Sequence, residues 1–306
     1  MSVLFTFPGQ GSQMSGMLHA LPEHAEVERA LSEAQAVLGQ DPRDLDSPES
    51  LASTVAVQLC LLIAGVAMAR TLITRGAAPD SVAGMSVGAF PAAVIAGALD
   101  YTDALRIVAL RGQLMERAFP SGYGMTAIID LDRYRLEPLI ARVHSAASPV
   151  FLANLNAERQ IVIAGQHAAM RAVAELALQH GASRCELLAV SVPSHCELLA
   201  PGAREMRSAL SQLALRPPRL TYLSSSAARA IADPRRIAED LADNMARPVN
   251  WHDTVRLAWE RGARLAVEMP SGSVLTGLTQ PAFADGLAVC CENNRFETLL
   301  SLVARE

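Results

Sequence analysis

The chain has 306 residues, 51% of them apolar and 19% charged, with a net charge of -5. That is enough apolar material for one large domain or two smaller ones with an ample core, and it excludes a disordered chain. The acidic balance leaves no electrostatic footprint for nucleic acid, every basic residue is arginine, and the five cysteines show no CxxC spacing, so free thiols in a reducing cytoplasm are the expectation.

Val3 to Phe7 reads as a strand, too short an apolar run for a signal peptide, and it ends in the turn Pro8-Gly9-Gln10-Gly11-Ser12-Gln13. Glu23 to Leu38 carries a helical pattern, and a long helix is expected from Leu51 to about Arg75. Its greasiest window, Val55 to Ala69, contains Gln58 and Gly65 and falls short of the ~20 residues of a membrane span, so it reads as a buried helix. After the apolar stretch Ser81-Val82-Ala83 comes Gly84-Met85-Ser86-Val87-Gly88, which opens a helical pattern from Val87 to Ala96. Gly-x-Ser-x-Gly between a strand and a helix is the setting of a nucleophile elbow. The flanking glycines remove Cβ atoms that would clash in so sharp a turn, and the free N–H groups of the helix start face any negative charge developing at Ser86. Tyr101 to Ala118 is a further helix, with Asp100 or Thr102 as its cap, and Pro120 to Gly124 is a break.

Beyond the break the period changes. Strands are expected at Met125 to Asp130, Val150 to Asn154, Gln160 to Ala164 and Cys185 to Val190, with helices at Arg133 to Ser145 and Ala168 to His180. The order strand–helix–strand–strand–helix–strand is that of a small ferredoxin-like α+β unit. The fold class is therefore α/β: a larger α/β-hydrolase-like domain with a mostly parallel sheet, formed by 1–122 and 191–306, into which a subdomain at 123–190 is inserted. In the returning segment, helices at Cys196 to Leu213, Pro234 to Met245 and Trp251 to Arg261 alternate with strands at Leu220 to Leu223 and Leu265 to Glu268.

A serine nucleophile needs a base and an oxyanion hole. Of seven histidines, His19, His24, His144, His167 and His180 fall on polar helix faces or loops and are expected to be solvated, while His252 sits near a helix start. His195, in Val192-Pro193-Ser194-His195-Cys196, lies where a strand ends and a helix begins, a usual place for catalytic groups. Spacing alone leaves it open between a catalytic and a structural role. His195 and His252 have no neighbouring metal-ligand spacing, so no metal is expected.

The ordered blocks Phe7-Pro8-Gly9-Gln10-Gly11-Ser12-Gln13, Ala83-Gly84-Met85-Ser86-Val87-Gly88, Ala96-Gly97-Ala98-Leu99-Asp100, Arg111-Gly112 with Met115, Ile161-Val162-Ile163-Ala164-Gly165, Val192-Pro193-Ser194-His195, Arg247-Pro248-Val249-Asn250-Trp251 and Val274-Leu275-Thr276-Gly277-Leu278 span nearly the whole chain. In this the chain resembles the malonyl-CoA:acyl carrier protein transacylases and related acyltransferase domains. The resemblance implies that Ser86 is the acyl-accepting nucleophile, His195 its base, and Gln10 and Val87 the backbone N–H donors of the oxyanion hole. It further implies that Arg111 holds a malonyl carboxylate, that Gln58 lines the pocket and that the backbone carbonyl of Asn244 orients the imidazole. It implies no bound cofactor: malonyl-CoA and the prosthetic thiol of an acyl carrier protein are substrates, in the cytoplasm, with no nucleic acid or membrane partner. An arginine fork suits a carboxylate, because two parallel hydrogen bonds match its geometry.

Met85 stands where most of that family has histidine, and Gly88-Ala89-Phe90 where an acidic or amide residue often follows the serine. With the segment Ser53 to Val66 and the short N-terminus, these departures look most like the transacylase subunit of bacterial malonate decarboxylase, which implies that enzyme's carrier subunit as acceptor. The alternatives are a malonyl transferase of fatty-acid or polyketide synthesis, a malonyl-CoA thioesterase and a non-catalytic carrier-docking subunit.

Overall fold

The computed structural model describes residues 2–119, 121–190 and 192–304. Pro120, in the expected break, and Ser191, where the chain was expected to rejoin the larger domain, lie outside the described residues. In chain order the elements are β1 (Ser2–Phe7), α1 (Ala25–Leu38), α2 (Thr54–Thr74), β2 (Ser81–Gly84), α3 (Ala89–Ile95), α4 (Tyr101–Ala118), β3 (Tyr123–Ile129), α5 (Arg133–Val143), β4 (Val150–Ala157), β5 (Gln160–Gln166), α6 (His167–Gln179), β6 (Arg184–Leu187), α7 (Ala200–Leu210), β7 (Thr221–Ser224), β8 (Arg229–Ile231), α8 (Pro234–Asp243), α9 (Trp251–Glu260), β9 (Ala263–Glu268), α10 (Val274–Thr279), β10 (Leu287–Cys290) and α11 (Phe296–Val303).

The larger sheet has the order β10-β9-β1-β2-β7-β8 and is parallel except for β8, which turns back on β7. Alternate residues of its central strands enter two separate cores. Val3, Phe5 and Phe7 pack with α1, α2 and α4, whereas Leu4 joins Trp251, Val255 and Leu275 on the opposite face. Burial on both faces is why β1 reads as a nearly continuous apolar run and not as an alternation. Among the described residues α2 is the one helix apolar and long enough to cross a membrane, but 83% of its most apolar stretch is buried inside the protein. It is the core helix packed against the larger sheet.

Residues 123–187 form the second sheet, of order β4-β5-β3-β6, with β3 antiparallel to both β5 and β6, and β4 antiparallel to β5. It has its own core under α5 and α6, built on Ile128, Leu136, Ile161, Ile163, Met170 and Val173. Its edge strand β4 is tied to the segment just before α9. Leu155 N donates to Val249 O at 2.7 Å and Val249 N donates to Ala153 O at 2.9 Å.

Several expected boundaries move. The strand placed at 185–190 is β6, and it ends at Leu187. Beyond it Leu188 N still donates to Met125 O on β3 at 2.9 Å, and Leu188 and Val190 line the cleft that holds Ser86. The helix placed at Cys196 begins at Ala200, after a 3-10 turn over Glu197–Leu199. The long helix begins at Thr54, because Ser53 Oγ accepts the N–H of Ala56 and caps it. Asp100 precedes α4 but makes no side-chain capping bond. Strands β8 and β10 and helices α10 and α11 carry no recognisable period, being eight residues or fewer. Of the histidines expected in solvent, His19, His144 and His180 are exposed, yet they also meet protein groups: Asp46 at 3.0 Å, the backbone of Val150 and Leu176 O; half-buried His24 caps α1 through the N–H of Glu26.

The elbow follows β2 directly. An added Cβ at Gly84 would lie 2.0 Å from the carbonyl of Gly88, and one at Gly88 would lie 2.1 Å from Phe7 O. β1 thus presses its last carbonyl onto the turn, and no side chain fits between. Gly88→Ala is expected to destabilise the protein by at least about 3 kcal/mol, because the clash is with backbone; a melting temperature within a degree of the parent would refute this close approach.

Candidate active site

Ser86 sits at φ 55° and His195 at φ 63°, both in the left-handed region that side-chain-bearing residues avoid. Such backbones cost about 1–3 kcal/mol each and persist where the surroundings over-determine them. For Ser86 the surroundings are the elbow, held also by Ser225 Oγ donating to Gly84 O at 2.8 Å. For His195 they are the turn after α8. Its N–H donates to Met245 O at 2.8 Å, and its ring faces Asn244 O at 2.8 Å and Arg247 O at 3.3 Å. Asp243 secures that turn by ion pairs to both Arg207 and Arg247.

These contacts set the tautomer. Two backbone carbonyls face His195 Nδ1, and a carbonyl only accepts, so Nδ1 carries the proton. Nε2 is then a lone-pair acceptor, and it lies 2.9 Å from Ser86 Oγ. The serine hydroxyl donates to it. No carboxylate is needed in this arrangement, because backbone dipoles orient the ring. His195 is buried, and burial together with the nearby Arg111 charge lowers its pKa to about 4. It is a neutral base throughout the neutral range.

Arg111, which periodicity on α4 could not place, is 1% exposed. Its Nη1 donates to Gln58 Oε1 at 2.7 Å, and its Nη2 donates to Ser86 Oγ at 3.2 Å and to Asn244 Oδ1 at 3.2 Å. Its Nε has no partner. Among the described residues no Asp or Glu pairs with it, and burial alone pushes its pKa down to about 9. It therefore remains a cation at neutral pH. A buried cation held by neutral dipoles and lacking a counter-ion is an anion site beside the nucleophile. Gln58, fully buried on α2, belongs to it as a direct partner of the guanidinium.

The residues expected at the site thus come together from distant parts of the chain. Gln10 lines a cleft of ≈ 250 Å³ with Met85, Ser86 and His195. An added Cβ at Gly9 would lie 3.2 Å from Ser86 Cβ, so the Pro8–Gln10 turn lies against the nucleophile. Val87 is fully buried behind Ser86 and is not a wall residue, so it can act only through its backbone. Met85 is a wall residue. The side chain of Asn244 contacts Arg111 as well, a contact the sequence did not suggest. Also unforeseen are Asn154 and Asn156, on the cleft wall supplied by β4. On the opposite side, buried Glu268 at the end of β9 accepts the N–H groups of Leu275 and Thr276 at 3.0 Å and 2.6 Å, and so holds the start of α10 against the cleft. The block Val274 to Leu278 had marked that segment without suggesting its anchor.

Residues 4–300 match the model of the acyl transferase domain family. The chain is 37% identical over 292 residues to the malonyl CoA-acyl carrier protein transacylase of Haemophilus influenzae, covering 92% of this chain and 93% of that one. It superposes with a TM-score of 0.93 and 34% identity on the crystal structure of an acyl-carrier-protein S-malonyltransferase from Burkholderia pseudomallei, covering 98% of this chain and all of that one. A malonyl-transacylase in complex with its type II polyketide synthase acyl carrier protein matches with a TM-score of 0.92 and 34% identity, over the full length of both chains.

A folded-state pKa of about 4 for His195, against an ordinary 6.5, means that the unfolded chain binds the extra proton between those values. The stability contributed by the neutral ring is complete above pH 6.5 and is lost as pH falls to about 4. NMR titration of the His195 ring is expected to show a midpoint near 4, rising in Arg111→Ala as both the charge and part of the burial go. A midpoint near 6.5 in the parent protein would contradict the buried, arginine-facing geometry.

Proposed function

For a chain that belongs to the acyl transferase domain family, we propose malonyl transfer from malonyl-CoA to the pantetheine thiol of an acyl carrier protein, by way of a malonyl ester on Ser86. The observation that carries this reading is the buried Arg111 guanidinium, unpaired by any carboxylate among the described residues and 3.2 Å from Ser86 Oγ. A malonyl thioester offers a carbonyl to attack and, one methylene away, a carboxylate to pair with that cation.

In the first half-reaction Ser86 Oγ attacks the thioester carbonyl while its proton passes to His195 Nε2. The tetrahedral oxyanion is met by the backbone N–H groups of Gln10 and Val87. The C–S bond breaks, the leaving sulfur takes the proton from His195, and CoA departs as a thiol. In the second half-reaction His195 Nε2 removes the proton of the carrier thiol, the sulfur attacks the ester, and Ser86 Oγ leaves and is reprotonated. A thiolate is a good leaving group, so one imidazole moving one proton serves both directions. Arg111 holds the carboxylate in both. It also donates to Ser86 Oγ, which stabilises that oxygen as it loses its proton.

The similar proteins favour the alternative acceptor, a carrier of fatty-acid or polyketide synthesis, over the malonate decarboxylase carrier. These relatives are named for transfer to acyl carrier protein or seen bound to a polyketide carrier, whereas the malonate decarboxylase carrier rests on sequence departures at Met85 to Phe90, Ser53 to Val66 and the N-terminus. We take a free-standing acyl carrier protein as the acceptor and read Met85 as a change in the polarity of the cleft wall. The 123–190 unit is read as a ferredoxin-like insertion that supplies one wall of that cleft.

Mass spectrometry after mixing with malonyl-CoA is expected to show a malonyl adduct on Ser86 and none in Ser86→Ala. Arg111→Ala is expected to lower kcat/KM for malonyl-CoA at least ~100-fold, the worth of two charge-assisted hydrogen bonds, with a much smaller effect on acetyl-CoA. An unchanged ratio of malonyl to acetyl transfer would remove Arg111 from substrate selection. Faster transfer to a malonate decarboxylase carrier than to a fatty-acid or polyketide carrier would reverse the choice of acceptor.

A further inference from the structure

The end of β7 reaches in two directions. β7 runs parallel beside β2, the strand that delivers the elbow, with Leu223 in register with Ala83. Ser224 is fully buried, Ser225 is 2% exposed, and their hydroxyls bond to different elements. Ser225 Oγ donates to Gly84 O in the elbow at 2.8 Å. Ser224 Oγ accepts the N–H of Ala227 at 3.0 Å and donates to Asp240 Oδ1 on α8 at 2.5 Å. Tyr222, on the same strand, donates its hydroxyl to Asp240 Oδ2 at 3.0 Å. The dipeptide is held from a third side, where Asn250 N donates to Ser225 O at 2.6 Å.

Asp240 is buried, and burial pushes its pKa up. Among the described residues it forms no ion pair, unlike Asp243 one turn further on. Taking a carboxylate out of water is costly, and here hydroxyls alone compensate it. A buried polar network with all its members satisfied rigidifies its surroundings and specifies one arrangement.

The arrangement it specifies is that of the active site. Asp240 O accepts the N–H of Asn244, and Asn244 O faces His195 Nδ1 at 2.8 Å. The contacts close into a ring. They run from Gly84 through Ser225 and Ser224 to Asp240, and from Asp240 through Asn244 to His195. His195 Nε2 meets Ser86 Oγ, and Met85 links Ser86 back to Gly84. We propose that Asp240, Ser224 and Ser225 are positioning residues for the Ser86–His195 pair. The dipeptide is a bracket with one arm on the nucleophile's turn and the other, through Asp240, on the turn that orients the base. It sets the approach of Ser86 Oγ to His195 Nε2. None of the three lines the cleft, so they act only through the residues they hold. The inference rests on the transferase reading above.

Two quantities test the bracket. One is the single-turnover rate of malonyl-Ser86 formation over a range of malonyl-CoA concentrations. The other is the NMR resonance of the His195 Nδ1 proton in the substrate-free protein. Asp240→Ala is expected to lower the rate at saturation about tenfold, because a small misplacement of nucleophile and base suffices, while the half-saturating concentration stays within about twofold. The Nδ1 proton resonance is expected to move upfield as its bond to Asn244 O lengthens. Asp240→Asn keeps an acceptor for the Tyr222 hydroxyl and a donor for Ser224 Oγ, and it is expected to recover most of the rate and the parent resonance. Val173→Ala, in the separate core under α5 and α6, is expected to lower stability and move neither quantity. A loss of rate equal in Val173→Ala, a loss not recovered in Asp240→Asn, weaker half-saturation in place of a slower rate, or an unmoved resonance would each overturn the bracket. Should Asp240→Ala fail to fold, Ser225→Ala removes the other arm and leaves one carbonyl without a partner instead of two hydroxyls. A slower rate at unchanged half-saturation then supports the bracket, and the parent rate refutes it. If the parent forms no malonyl-Ser86, the transferase reading fails, and the resonance, read without substrate, still decides the bracket.

Discussion

The arrangement of the site depends on one constraint: a guanidinium buried among neutral dipoles. Arg111 reaches Gln58 on α2, Ser86 at the elbow and Asn244 after α8, so a single side chain joins three separate elements. Each partner offers an oxygen and none offers a charge. The cation is kept in place by hydrogen bonds but is not neutralised, and its charge remains available to a ligand. The same charge helps to hold His195 neutral, which is the state a base must be in. On the proposed reading, substrate selection and base strength are coupled through one residue. A carboxylate in the protein at this position would hold the arginine more firmly and remove both effects.

Ser86 and His195, the proposed nucleophile and base, share a second feature, a strained backbone held by unrelated devices. At Ser86 the device is steric, since Gly84, Gly88 and the carbonyl of Phe7 are packed too closely for any other residue at the glycine positions. At His195 it is hydrogen bonding, with three contacts to the turn that Asp243 and its two arginines secure. The imidazole needs no acidic partner because two carbonyl oxygens hold its Nδ1 proton. That arrangement adds no second charge to a cleft already containing Arg111.

Much of this was legible in the chain. The elbow and its glycines, the long core helix, the helix Tyr101–Ala118 and the strand–helix–strand–strand–helix–strand insertion all carry local signals. Each rests on turn chemistry or on a hydrophobic period long enough to recognise. Short elements carried no such signal: β8 has three residues and α10 has six, and tertiary packing defines both. The strand expected to reach Val190 stops at Leu187, and Leu188 and Val190 line the cleft, which no local propensity records.

What the sequence determined by itself was the chemistry available: a serine on a sharp turn, a histidine after a proline, an arginine on a helix, and the order of blocks that pointed to acyl transfer. What only the tertiary structure decided was the charge state and aim of those groups. Arg111 on its helix could have faced solvent. Its burial without a counter-ion is a property of the packing between α2, α4 and the turn after α8. The proton on His195 Nδ1 and the anchoring of α10 by Glu268 likewise depend on contacts that only the folded chain makes, where local sequence pattern carries no information.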